Sequence, residues 1–356
     1  MVSESVDVPN FKLNSLIGRS YGGLAAVYLA RRKDGGSAGG VAVRVYPLDQ
    51  ARVSLEAIEN EVSVLRSLRH ANVCPILENF VYDHSLVVVS PLMDFGSVSD
   101  VIHAGFPIGL SEPAIALILR DVVRGLAYVH SIGFVHRSVR ASHVLLSSAN
   151  RGCARLTGFR QSRPLPCHST SADAVPTGDA RRRLVQHEFS PALQSSLLWL
   201  APEVLQQDLQ GYDSKSDVYS MGVTACEMAN GFPPFADMEN MQMLYEKLRG
   251  TTPRLLDAST LPADDASHVG QRERRFSAAF HEFVDLCLRT RPDARLSVDE
   301  AAAHFFFKQL KKSRHSLAQL LLPIQPIEET ASPLPHPSAD HSRAPSVDAA
   351  ETLWAF

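Results

Sequence analysis

The chain has 356 residues, 45% hydrophobic and 21% charged, enough to bury a full core in one large domain or two smaller ones. Lys and Arg total 35 against 38 Asp and Glu, and the resulting formal charge of −3 gives no electrostatic case for a nucleic acid or an anionic membrane as partner. Five scattered cysteines (Cys74, Cys153, Cys167, Cys226, Cys287) form neither a disulfide framework nor a zinc-binding pair, so a reducing compartment is expected.

Residues 1–10 read as a flexible N-terminus, acidic and without the apolar core of a signal peptide. No run approaches the roughly 18 apolar residues that cross a bilayer, and the C-terminal TLWAF lacks the cysteine of a prenylation box. A soluble chain in the cytoplasm is expected, with nuclear residence left open. From residue 11 to about 107 the pattern is strand-rich, with alternating apolar runs at Val27–Ala30, Val41–Val45, Phe80–Tyr82 and Leu86–Val89. Between them Leu55, Ile58, Val62, Leu65 and Leu68 recur three or four apart and predict a helix over 54–68.

From Ser111 the period changes. Ser111 is a candidate N-cap, Pro113 suits a first turn, and Ile115, Ile118, Leu119, Val122, Leu126 and Val129 line one face before Gly133. Further helices are predicted over 217–231, 243–250, 276–289 and 298–310, with loops near 160–196 and 257–275. The reading is an α+β chain of two lobes: a small strand-rich lobe (11–92) with one key helix, and a large, mainly helical lobe (97–310). Residues 311–356 turn to Pro, Ser and Asp and predict a mostly disordered tail that ends Trp354-Ala355-Phe356.

Seven short motifs then fall in the order of a protein kinase: VAVR (41–44), Glu61 on the first helix, HRSVRASH (136–143), GFR (158–160), Ala201-Pro202-Glu203, DVYSMG (217–222) and RPDAR (291–295). Each alone is weak, but their order over nearly 300 residues predicts a bilobal protein-kinase-like fold. The residues that phosphoryl transfer needs are replaced. Arg44 stands for the strand lysine, Ser138 for the aspartate that orients the hydroxyl, and His143 and Gly158 for the two magnesium ligands. A neutral hydroxyl accepts no substrate proton at a useful rate, and a hard cation wants oxygen donors, so no catalysis and no metal site are expected.

The glycine turn fits the G-x-G-x-x-G template badly: Gly18, Ser20, Gly23 in one register and Ser20, Gly22, Ala25 in the other. Gly18, Gly22, Gly23, Arg44, His143 and Arg160 are the candidate nucleotide contacts, with His143 and Arg160 supplying basic groups where magnesium would sit. No cofactor is required; ATP held without magnesium stays open as a structural ligand. For His143 a packed ring is an equal alternative, and for Arg160 a surface cation. Arg44–Glu61, Glu203–Arg295 and Asp217 are read as conformational groups, and Arg181-Arg182-Arg183 as a solvated run or a partner contact.

The stretches 199–231 (WLAPEVLQQDLQGYDSKSDVYSMGVTACEMANG), 136–147 (HRSVRASHVLLS), 241–257 and 305–312 resemble the STRAD adaptors, pseudokinases related to the sterile-twenty kinases. The resemblance runs from residue 11 to about 312 and returns at the C-terminus. It implies an inactive adaptor that binds and allosterically activates a serine/threonine kinase of the liver-kinase-B type. The implied assembly is a heterotrimer with an armadillo-like scaffold of the mouse-protein-twenty-five type. It also implies that Trp354 and Phe356 meet the scaffold, although this tail reads Trp-Ala-Phe where the family has Trp-Glu-Phe. The alternatives from other classes are a weak atypical serine/threonine kinase and a passive tether acting through the tail alone.

Overall fold

The computed structural model describes residues 8–20, 22–34, 39–49, 55–165, 191–207, 211–262, 267–311, 315–332 and 354–355. The N-terminal part builds a sheet from β1 (Phe11–Ser20), β2 (Ala25–Arg32) and β3 (Val41–Pro47). Helix α1 (Leu55–Ser67) follows, then β4 (Glu78–Tyr82) and β5 (Ser85–Pro91). The strands pair antiparallel in the order β1-β2-β3-β5-β4. Val8, Phe11, Ala30, Val41, Val43, Val45, Val87 and Val89 fill one face of this sheet. Val8 is fully buried, so the flexible N-terminus expected over 1–10 is corrected for its last residues: an apolar side chain there seals the end of β1.

Helix α1 buries the predicted Ile58 and Leu65, with Leu68 just beyond its end, but its inward face also takes in Glu61 and Val64. Ile58, Glu61, Val64 and Leu65 are buried, while Leu55 is exposed and Val62 half-buried. A charged side chain takes a buried position because its partner waits on β3.

The chain then crosses to the large lobe through β6 (Gly96–Ser97), α2 (Val98–Gly105), α3 (Glu112–Ser131), β7 (Phe134–Val135), β8 (Val144–Ser147), β9 (Cys153–Leu156) and β10 (Arg163–Pro164). Ser111 does hold the N-cap backbone of α3, with Pro113 in the first turn, but its hydroxyl makes no capping bond. The predicted stripe of α3 is buried throughout. Helices α4 (Pro202–Leu205), α5 (Lys215–Asn230), α6 (Asn240–Leu248), α7 (Val269–Arg272), α8 (Ala278–Cys287) and α9 (Val298–Ala303) complete the lobe. α5 is its axis, buried from Ser216 to Asn230 and packed on α3 and α8.

Three expectations change here. The helix predicted over 298–310 stops at His304, whose ψ of 143° is extended, and resumes as a 3-10 stretch over Phe305–Lys311. The loop predicted at 257–275 contains α7 and a buried Asp257. The tail expected from 311 is structured over 315–332: α10 (Leu317–Leu320) and α11 (Ile327–Thr330) bury Leu317, Leu321, Ile324 and Ile327. Short apolar side chains spaced among prolines were enough to anchor it. Finally β11 (Trp354–Ala355) pairs parallel with β1 at Gly18 and Arg19. Arg181–Arg183, Cys167 and Phe356 lie outside the described residues. No helix among the described residues is long and apolar enough to cross a membrane.

Candidate functional site: a cleft closed by its own side chains

The cleft lies between the β-sheet, α1 and the loop that joins β7 to β8. Arg44 projects from β3 toward Glu61 of α1, with Nη1 3.6 Å from Oε1, and donates to the Tyr46 hydroxyl at 3.0 Å. Both charged groups are largely withdrawn from solvent, which fixes α1 against the sheet. One residue earlier on α1, Asn60 donates its amide to the carbonyls of Arg160 (3.0 Å) and Ser162 (3.1 Å). The helix is thereby tied to the loop after β9 as well. In that loop Phe159 is fully buried and meets the His136 ring edge-on at 4.5 Å.

Asp217, at the start of α5, holds the other loop. Its carboxylate accepts from the His136 and Arg137 backbone N–H groups (2.8 and 2.7 Å) and from His130 Nε2 (2.8 Å). Burial alone would raise its pKa; the His130 contact and the backbone donors outweigh that and keep it below the ordinary carboxylate value. Arg137 sits in the left-handed region (φ 67°), a conformation this capping holds in place.

Ser138, His143 and Gly158 meet at the centre. The Ser138 hydroxyl is 2.7 Å from Ser196 Oγ and 3.1 Å from His143 Nδ1. His143 Nδ1 also lies 2.7 Å from the Ser138 carbonyl, which only a protonated nitrogen can satisfy. Its Nε2 in turn accepts from the Arg140 guanidinium at 3.0 Å. The ring is therefore neutral. Burial and the adjacent Arg140 charge push its pKa well below the ordinary imidazole value. The sequence suggested a basic group at 143; the ring instead has both nitrogens engaged within the chain.

Gly158 explains why the ring fits. Its backbone is left-handed (φ 79°), and a Cβ built on it would fall 2.5 Å from the His143 ring. The histidine thus fills the volume where an aspartate side chain at 158 would stand. The donor set does not suit magnesium: one imidazole nitrogen is protonated, the other faces a guanidinium, and Gly158 brings no oxygen. Among the described residues no three His, Cys, Asp or Glu side chains converge as a metal site.

The glycine turn places its residues unevenly. Gly18 lies inside β1, paired with Val27, and only Gly22 and Gly23 take the turn's left-handed φ of 65° and 95°. The Gly23 N–H is used by the Ser20 carbonyl (3.2 Å). Arg160 points toward Ser195, with Nη2 3.3 Å from its Oγ.

The segment before α4 is clamped over this centre. Arg140 donates to the Ser195 carbonyl (2.7 Å) and lies 5.6 Å over the Trp199 ring. Trp199 Nε1 donates to the buried Glu227 (2.8 Å), and Lys247 Nζ donates to the Leu198 and Leu200 carbonyls (2.5 and 3.0 Å). Burial pushes Glu227 up to about 7 and Lys247 down to about 7. Glu203 and Arg295 form a buried two-point pair at 2.7 and 3.0 Å that ties α4 to the loop before α9. Sequence reasoning missed Asn60, Arg140, Ser196, Trp199 and Glu227. Arg140 was visible as the fifth residue of HRSVRASH; the others carried no local pattern.

The chain matches the protein kinase domain family over residues 11–307. It is 40% identical to the STE20-related kinase adapter protein alpha of Gallus gallus over 354 residues, covering 89% of this chain and 85% of the chicken protein. The alpha protein of Homo sapiens is 39% identical (89% and 77% covered), and the beta protein of Homo sapiens 35% identical (90% and 80% covered). With the ordered motifs, the two-lobed fold and identity along nearly the whole domain, the chain belongs to the STE20-related kinase adapter family of protein-kinase-fold proteins.

Proposed function

We propose that this chain is a catalytically silent pseudokinase adaptor. It binds a serine/threonine kinase of the liver-kinase-B type and shifts it toward its active state, in an assembly with an armadillo-like scaffold. The observation that carries the reading is the pairing of a kept frame with replaced chemistry. Arg44–Glu61, the Asn60 tie, Asp217 and Glu203–Arg295 hold the loops of an active-like kinase, while Ser138, His143 and Gly158 bond to or pack on one another. At positions 138, 143 and 158 no carboxylate receives a substrate proton and no oxygen set holds a metal, so phosphoryl transfer has no route through them.

A rigid active-like surface suits a partner that must tell two states of a kinase apart. A binder shifts a population only by its difference in affinity for the two states. Trp354 and Phe356 are proposed to meet the scaffold, since aromatic anchors dominate the energy of such contacts. The test is partner-kinase activity on a peptide substrate, reconstituted with scaffold, with and without this chain, using a catalytically dead partner as control. A rise that vanishes with the dead partner supports the adaptor reading. Phosphate transfer that persists with the dead partner makes the chain an enzyme and overturns it.

A further inference from the structure

The segment from Ser316 to Ala331 runs from the back of the large lobe, around the hinge, to the underside of the small one. Leu317 and Leu321 are buried in the large-lobe core. Ile324 reaches the end of α2, and the Ile327 N–H donates to the carbonyl of Asp94 at 2.7 Å. Asp94 lies in the linker between β5 and β6 and is itself fixed by Ser148, whose backbone N–H it accepts at 2.8 Å. The Ile327 side chain is fully buried in a cluster with Ile17, Val27, Leu29 and Ala42, and Leu92 and Ala331 pack beside it.

Three glycines along this path make room for the segment. A Cβ on Gly152 would fall 2.7 Å from Leu317, one on Gly105 2.7 Å from Ile324, and one on Gly40 2.7 Å from the Glu328 carboxylate. The close approach at three successive points marks a fitted track rather than a loose tail.

Where Ile327 sits follows from strand geometry. Arg44 stands where a kinase keeps its phosphate-binding lysine, and Ala42 lies two residues back on the same strand face, toward the hinge. The phosphates of a nucleotide would be near Arg44, and its base against Ala42 and Val27. A base in such a site offers an apolar face to the sheet and hydrogen bonds to the linker backbone. Ile327 offers the same two things. The chain's end returns to the same side, with β11 alongside Gly18 and Arg19.

We propose that residues 316–331 are a built-in clasp, in which Ile327 takes the place of a nucleotide base and joins the two lobes without any ligand. The clasp does not depend on whether the chain activates a partner. The clasp excludes the base while it is docked, and its release exposes an apolar floor that adenine fits.

The test is thermal unfolding of the full chain in EDTA, titrated with ATP and with adenosine, for the wild type, Ile327→Ala, Ile327→Val and Gly105→Val. Gly105 lies at the end of α2 without a left-handed φ, so added bulk there displaces Ile324 without removing apolar mass. The wild type is expected to respond to neither probe. Ile327→Ala and Gly105→Val are expected to melt lower and to regain roughly 5 °C or more with saturating ATP. Ile327→Val, the variant least able to disturb folding, is expected to move the same way by less. Stabilisation of the wild type at micromolar ATP overturns the proposal. So does an unchanged melting temperature in both disruptive variants, or folded variants that still ignore both probes.

Discussion

The fit of His143 against Gly158 gives a prediction whose size can be worked out. Gly158→Ala places a Cβ on a backbone at φ 79°, which costs an L-residue about 1–2 kcal/mol. The same Cβ lies 2.5 Å from the ring, so the imidazole must move and release its bonds to Ser138 and Arg140. Overpacking of this kind adds about 1–3 kcal/mol, for a total of about 2–5 kcal/mol. In a His143→Ala background the ring is gone and only the backbone strain remains. The two substitutions should therefore couple by about 1–3 kcal/mol, the part of the cost that depends on the ring. Urea unfolding of wild type, both single variants and the double variant measures this directly. Costs that add to within about 0.5 kcal/mol would mean that the ring does not occupy the space, and the account of a self-filled metal position would be refuted.

Three further outcomes follow from the same geometry. Glu203→Ala leaves the buried Arg295 guanidinium without its two-point partner and should cost about 3–5 kcal/mol by chemical denaturation, with Asp a poor substitute because it is one methylene shorter. Glu227 is pushed up to about 7 from 4.5, so the folded chain holds its proton where the unfolded chain has lost it; this group's contribution to stability is full below pH 4.5 and fades as pH rises toward 7. Glu227→Gln should flatten that dependence between pH 5 and pH 7.5 relative to wild type, and an unchanged slope would count against the buried, protonated carboxyl. Glu61→Ala, which removes the partner that Arg44 meets at 3.6 Å, should lower partner activation severalfold while shifting melting by a few degrees; equal proportional losses would argue for a purely structural pair.

Most of the frame was legible because kinase motifs are spaced by the fold itself. The strands of the small lobe, the α3 stripe and the Glu203–Arg295 pairing all follow from residue type and order. The α1 face was misjudged at Leu55 and Val62 because apolar period assumes that only apolar groups go inside, whereas Glu61 is drawn in by Arg44. His143 was open in the sequence for a similar reason: an imidazole is basic or neutral according to its neighbours, and Arg140 was not yet among them. The clasp was invisible because the prolines at 323 and 326 break LLPIQPI before its Leu and Ile residues can register a helical or strand period. The glycines at 40, 105 and 152 make room for its path, and their positions are unrelated in sequence.

The replaced residues also suit one another energetically. A kinase cleft without nucleotide and metal holds an aspartate pair and a lysine that await their ligands, and such groups are costly when withdrawn from water. Here Ser138 bonds to Ser196, each nitrogen of His143 finds a partner within the chain, and Asn60 satisfies two loop carbonyls. The polar groups at this centre satisfy one another within the chain. In the proposed adaptor role, what a partner meets is the surface that this centre holds in position. The segment Leu193–Leu205, which exposes only Gln194 and Ser195, is clamped by Arg140, Glu227 and Lys247. Loosening the clamp at Lys247, a buried amine that bonds two carbonyls, should therefore impair partner activation as strongly as a substitution at the exposed Gln194. Lys247→Met, which keeps the length and the apolar stem, separates the two roles: activation lost with the melting temperature nearly kept supports the clamp, and activation kept while the segment's amide exchange accelerates refutes it.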